Sequence, residues 1–472
     1  MRGGLLVGRD DGAGAMEPTD MRLVAILAFA ACSFFGAPAR GEDQQFSAFI
    51  DVTVIRVYGA PHLRHQTVLV RGDRIETVAP ARSVRVPRDA RILSRPGQIL
   101  APGLADMHVH IFSPPDGILF LANGVTTVRN MNGRADTNAL AARIDSGLAP
   151  GPHIYSSGPI INGPSTDWAV VAGTPGAIRD LIAGQARSGY IGAKLYETLA
   201  PDVFSAGVAA AHANGLQVYA HVPASMSLDQ VLDLHIDSIE HLTGFDRALA
   251  PNAHSDWDEE RWAGANRSLI SPLARRVARS GVWNDATLVT LRDAPCAFAD
   301  IAAAEAATEY RYATQRQRTL WRRQFEEARA LRDPQAACEM TQRAHRMRIA
   351  MLRALRAAHA RLLIGTDAPQ PFVYPGFSLQ EELALHLDAG FTRAEVLRIA
   401  SRDAARFLHR QREFGIVAPG ARADLLLLDR DPENDLTVLR LPAGVMAAGC
   451  WRDAAELSQL LEGVARANAS AP

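Results

Sequence analysis

Between residues 103 and 367 one pattern recurs eight times: a short apolar run rich in β-branched residues, then a longer stretch with helical spacing. Such alternation builds a parallel sheet, because a strand needs a crossover before its successor can pair in parallel, and the helix is that crossover. The runs fall at 103–110, 125–131, 153–157, 190–196, 217–221, 237–241, 281–289 and 361–367. Eight units predict an α/β fold of the (β/α)8 TIM-barrel type. An open doubly wound sheet is disfavoured because no glycine-rich phosphate fingerprint follows the first run. Residues 302–359 are rich in Ala, Arg and Glu at helical spacing and exceed one barrel helix, so a helical insertion is expected at about 297–345, acting as a lid.

Two β-rich stretches flank this region. Val52 to Val57 and Thr67 to Val70 precede it, and Phe414 to Val417 and Ala423 to Leu428 follow it. They predict one small β-sandwich-like domain assembled from both chain ends, over 45–100 and 411–462, around a barrel at 101–410. The length of 472 residues accommodates a barrel of about 250 residues with such a satellite.

A net charge of −1 gives no basic surplus of the kind that binds nucleic acid, so a small-molecule substrate is the expected partner. After Met21 and Arg22, the apolar run Leu23 to Ala31, the small residues Gly36 to Ala39 and the polar Glu42-Asp43-Gln44 read as a secretory signal. Residues 1–44 are therefore expected to comprise an upstream extension and a signal peptide of an exported, periplasmic or secreted protein. No membrane association is expected beyond that segment or a lipid anchor on Cys32. Removing Cys32 leaves Cys296, Cys338 and Cys450, of which Cys296 and Cys338 flank one helical segment and are candidates to pair. The sequence leaves a homo-oligomer open.

His108 and His110 lie two apart on the first run, so their side chains share a face and can hold one metal ion together. A lone H-x-H pair is a weak signal. Its weight comes from Lys194, His221, His241 and Asp367, which end the fourth, fifth, sixth and eighth runs. Residues at the carboxyl ends of barrel strands converge on one rim, where the catalytic groups of this architecture sit.

The stretches Leu100 to His110, Gly124 to Arg129, Asp237 to His241, Ile364 to Ala368, Gly376 to Ser378 and Ala418 to Leu425 resemble the amidohydrolase superfamily, in its imidazolonepropionase-like and prolidase-like branch. The resemblance spans roughly 49–436. It implies that His108, His110 and Asp367 hold one metal, that His221 and His241 hold a second, and that Lys194, carboxylated by CO2, bridges them. Imidazole and carboxylate ligands suit zinc, so two zinc ions per chain are implied. The implied activity is hydrolysis of amide, peptide-like or cyclic amide C–N bonds by an activated hydroxide, with Asp367 as general base and acid.

Tyr196, Arg129 and Trp168 are candidate substrate-binding residues, Arg129 with the alternative of bracing Glu240. Asn130 stands where relatives often carry Asp. His153, His212, His235 and His386 are expected at the surface. Two other readings remain: a mononuclear imidazolonepropionase-like hydrolase or deaminase, and a barrel that binds without catalysis. After His221 no carboxylate occurs until Asp229, which disfavours a deaminase, and the full ligand set disfavours an inactive barrel.

Overall fold

The computed structural model describes residues 46–470 apart from 165–167, 254, 256 and 441. The proposed signal segment and Cys32 lie outside the described residues. Eight strands, labelled β1 to β8 here, run in parallel at Leu104–Val109, Val125–Asn130, His153–Ser156, Gly192–Leu195, Gln217–Ala220, Ser238–Glu240, Trp283–Asp285 and Arg361–Leu363. Each coincides with one apolar run of the sequence. β1, β2 and β3 pair in order in one sheet, and β4 to β8 pair in order in a second. Short strands Ile161–Asn162 and Val170–Val171 extend the second sheet beside β4. Isolated parallel bridges connect the two sheets on both sides, Ser157 with Gly192 and Val109 with Ala368. The architecture is a TIM-barrel-like α/β fold.

The intervening helices cover the strands with one apolar stripe each. Helix Pro175–Arg187 buries Ile178, Ile182 and Gln185, and Arg267–Ser280 buries Ile270, Ala274 and Val277. These three- and four-residue steps place one helical face on the sheet. The same sequences set the helix ends: Thr174 accepts Ala177 N–H at the start of the first, and Gly281, at φ 77°, closes the second in a left-handed turn.

The two chain ends form one mixed sheet, which corrects the expected sandwich-like unit. Strand Ile99–Pro102 joins them: it runs parallel to Phe46–Val54 on one side and antiparallel to Leu425–Leu428 on the other. Amino- and carboxyl-terminal strands thereby share a single ladder. Their core includes Phe49, Val68, Leu425 and Trp451.

Region 297–345 is helical, with Ile301–Ala306, Gln315–Leu331 and the start of Pro334–Ala357. A disulfide joins Cys296 to Cys338 across it. Its aromatic side chains receive Phe372, in the segment after β8, whose ring lies 5.1 Å from Trp321 and 6.2 Å from Tyr310. The insertion thus packs on the segment that begins at Asp367.

Candidate active site

Gly365 lets β8 approach β1. A Cβ there would stand 2.5 Å from His108 N and 2.6 Å from Asp285 Oδ2, closer than any side chain permits. With that space open, Met107 N–H donates to Ile364 O and Asp367 N–H to His108 O. Thr366 donates through both N–H and hydroxyl to the buried Asp106 carboxylate, at 3.0 and 2.7 Å. The Gly-Thr-Asp sequence therefore works as a unit: the glycine admits the neighbour, the threonine fastens to it, and the aspartate is delivered to the histidines. Asp367 and His241 both have left-handed backbone, at φ 61° and 59°, His241 directly after β6 and Asp367 four residues past the end of β8. Such conformations in non-glycine residues cluster at functional sites.

All six predicted ligand residues come together at the carboxyl ends of the strands, and all are buried. His110 Nε2 lies 3.0 Å from Asp367 Oδ1, and His108 Nε2 lies 3.4 Å from the same oxygen. The His241 ring centroid is 4.5 Å from that of His108 and 4.7 Å from that of His221. Donor atoms of His108, His110 and Asp367 fall within 4.8 Å of one another, close enough to share an ion.

Three of the four histidines are held from behind. Glu240 Oε2 accepts His108 Nδ1–H at 2.7 Å, Glu197 Oε1 accepts His221 Nδ1–H at 2.8 Å, and Thr287 Oγ1 faces His241 Nδ1 at 2.6 Å. A partner on Nδ1 leaves Nε2 free to coordinate. Burial pushes His108, His221 and His241 well below the ordinary imidazole range, so all three are neutral. Burial opposes ionisation of Asp367, yet the hydrogen bond from His110 and the nearby Lys194 charge hold it below the usual carboxylate range.

These facts test whether the residues fit a metal. With Nδ1–H given to Glu240, neutral His108 turns its Nε2 lone pair toward an ionised carboxylate oxygen 3.4 Å away. Two acceptors face each other, an arrangement that a cation between them makes favourable. His221 Nε2 and Lys194 Nζ are buried and have no hydrogen-bond partner among the described residues. The donor set fits divalent ions. Burial lowers the Lys194 ammonium to about 8, which makes the neutral, nucleophilic amine accessible near neutral pH.

Behind the donors lies a second charged layer. Arg129 Nη2 contacts Glu240 Oε2 at 2.9 Å and Asp285 Oδ2 at 3.4 Å, its Nη1 donates to Ser238 Oγ at 3.0 Å, and its Nε donates to Met107 O. The guanidinium lies over the Tyr219 and Phe407 rings, 4.6 and 4.9 Å from their centroids. His108, Glu240 and Asp285 also cluster closely enough for a metal, but the Arg129 guanidinium already bridges both carboxylates. Arg129 is fully buried, which corrects the expectation of substrate contact and bears out the alternative of bracing Glu240. Its position on β2 aims it toward Glu240 of β6 and Asp285 of β7.

Tyr196 stacks on His221 with centroids 3.8 Å apart, and its ring lies 5.5 Å from Lys194 Nζ. Trp168 meets Tyr196 edge-on at 5.1 Å. Asn130 accepts Ile111 N–H and donates to Ser156 Oγ, both at 2.9 Å, tying the end of β1 to β3. A carboxylate could accept the first bond but not donate the second. His386 is fully buried against Glu382, contrary to the surface position expected, because its helix turns that face inward. Glu197, Asp285 and Thr287 escaped the sequence reading. Asp285 ends β7 but lies in the middle of the 281–289 run, so none of the three carried an end-of-run signal.

The site and the scaffold together define a hydrolase: buried neutral imidazoles and a carboxylate on the rim of a TIM-barrel-like α/β fold. Residues 99–452 match the amidohydrolase family, to which the chain belongs. It is a hydrolytic enzyme acting on C–N bonds. Bottromycin amidohydrolase has a similar structure, with a TM-score of 0.72 and 25% identity over 90% of this chain and 91% of that one. A putative prolidase from Bifidobacterium longum matches with a TM-score of 0.64 and 25% identity over 89% and 99% of the two chains. Molinate hydrolase, at 17% identity and a TM-score of 0.62 over 88% and 96%, shares the fold. No curated protein matches the sequence.

Proposed function

We propose that this chain is an exported, metal-dependent hydrolase of amide, peptide-like or cyclic amide C–N bonds. The observation that carries the reading is the His108 Nε2 lone pair facing the Asp367 carboxylate at 3.4 Å, with the Nδ1 hydrogen already given to Glu240. His108, His110 and Asp367 would hold one ion and His221 and His241 a second, with Lys194, once carboxylated, as an anionic ligand shared by both. Zinc suits this set. When bound, such ions supply Lewis acidity and an acidified water.

The chain's own residues do the rest. Glu240, Glu197 and Thr287 orient the imidazoles. Asp367 takes a proton from the attacking water at its carboxylate and returns it to the leaving nitrogen. Tyr196 and Trp168 line the substrate side of His221. The two parallel sheets read as one eight-unit ring over 101–410, bearing a lid at about 297–345. Export rests on the apolar segment after Arg22 and agrees with the Cys296–Cys338 disulfide, a bond of oxidising compartments.

The decisive experiment is a screen of N-acyl amino acids, dipeptides and cyclic amides with the zinc-loaded chain, with Asp367→Asn as control. Turnover that chelation abolishes and the variant lacks supports the reading. No turnover across the panel by metal-loaded protein sinks it. The mononuclear alternative is favoured only if one ion binds and Lys194 stays unmodified.

A further inference from the structure

The four site histidines form the middle of a continuous arc of rings. At one end Phe112 lies nearly parallel to His110, with centroids 6.0 Å apart and planes inclined by 11°. At the other, Tyr196 stacks on His221 and Trp168 meets Tyr196 edge-on. The donors thus lie between two aromatic ends.

Phe112 is 44% exposed, a large apolar side chain left in water two residues beyond the His108–His110 pair. Its backbone is fixed all the same. Phe112 N–H and Ser113 N–H both donate to the buried Asp116 carboxylate at 2.9 Å, and the preceding Ile111 N–H donates to Asn130. An exposed ring on a fastened backbone, beside a donor histidine, is preorganised to cover an apolar ligand surface at little cost in ordering.

We propose that Phe112 is a specificity-determining residue that takes a planar, aryl-type substituent flanking the scissile C–N bond, while Tyr196 and Trp168 form the wall for the other substituent. The proposal rests on the hydrolase reading above and names its substrate class: amides bearing an aromatic group next to the bond that breaks. Ring stacking adds to the apolar area covered, and together they discriminate aryl from methyl substituents by roughly tenfold.

The test uses two non-hydrolysed probes, benzohydroxamate and acetohydroxamate, titrated into the zinc-loaded full chain, alongside turnover of N-acylphenylalanine and N-acylglycine pairs. The wild-type chain is expected to bind the aryl probe about tenfold more tightly than the methyl probe. Phe112→Ala narrows that ratio toward one, Phe112→Leu gives an intermediate value, and Leu148→Ala, at an exposed position elsewhere, leaves it unchanged. A wild-type ratio near one, or a ratio that survives Phe112→Ala, overturns the proposal. Aryl preference lost in Phe112→Ala, with no amide turned over, supports the subsite and removes the hydrolase reading. Turnover without aryl preference does the reverse.

Discussion

Glu240 Oε2 lies 2.7 Å from His108 Nδ1, and through that bond a buried carboxylate on β6 decides which nitrogen of a β1 histidine faces the donor cluster. Arg129 holds the same oxygen at 2.9 Å. Glu240→Gln is expected to weaken divalent-ion affinity by about 10- to 100-fold, the usual effect of removing such a partner. Competition against a chromophoric chelator measures it. The same variant leaves Arg129 less compensated, so the metal-free chain should lose about 3 kcal/mol in denaturant unfolding. Unchanged metal affinity would show that Glu240 is structural only.

In the proposed reaction Asp367 moves the proton while the histidines hold the site together. Asp367→Asn should lower kcat by about 10²–10⁴-fold, the range for losing a general base. Steady-state kinetics on any substrate found in the screen tests this. A variant within tenfold of wild type assigns the proton transfer elsewhere.

Lys194 is buried without a hydrogen-bond partner for its amine among the described residues, and burial lowers that amine to about 8. Loading in bicarbonate at that pH should give about two divalent ions per chain, and Lys194→Ala about one, as expected when a bridging ligand is removed. Elemental analysis gives the ratio. Equal metal content in both proteins argues against the carbamate bridge.

Glu382, distant in sequence from the ligands, supplies a pH test of the scaffold. Burial raises its carboxyl to about 8, while Val289 N–H donates to it at 2.7 Å. Its neighbour His386 is pushed down to about 4 by burial and stays neutral above that pH, so it offers no countercharge. Between the ordinary carboxylate range and pH 8 the folded chain keeps a proton that the unfolded chain has released. The resulting stabilisation is complete at low pH and is lost as pH rises to about 8. Relative to Glu382→Gln, which can still accept from Val289, wild type should lose about 1–4 kcal/mol across that window. Parallel pH profiles of the two proteins in chemical unfolding would contradict this.

Much of the molecule was written in local sequence. All eight strands follow from apolar runs, since an interior parallel strand must be buried on both faces. His108, His110, Lys194, His221, His241 and Asp367 were found because strand ends converge on one rim, so position along the chain predicts position in space. The sequence could not assign the partners. Arg129 was equally suited to a substrate or to Glu240, and only the fold, which brings Ser238 and Glu240 of β6 to its guanidinium, decided between them. Glu197 and Thr287 support histidines 24 and 46 residues away, and Asp285 reaches Arg129 across 156. Periodicity specifies which residues face inward; which side chain meets which is decided by closure of the fold, where Gly365 admits β8 against β1 and brings Asp367 to the histidines.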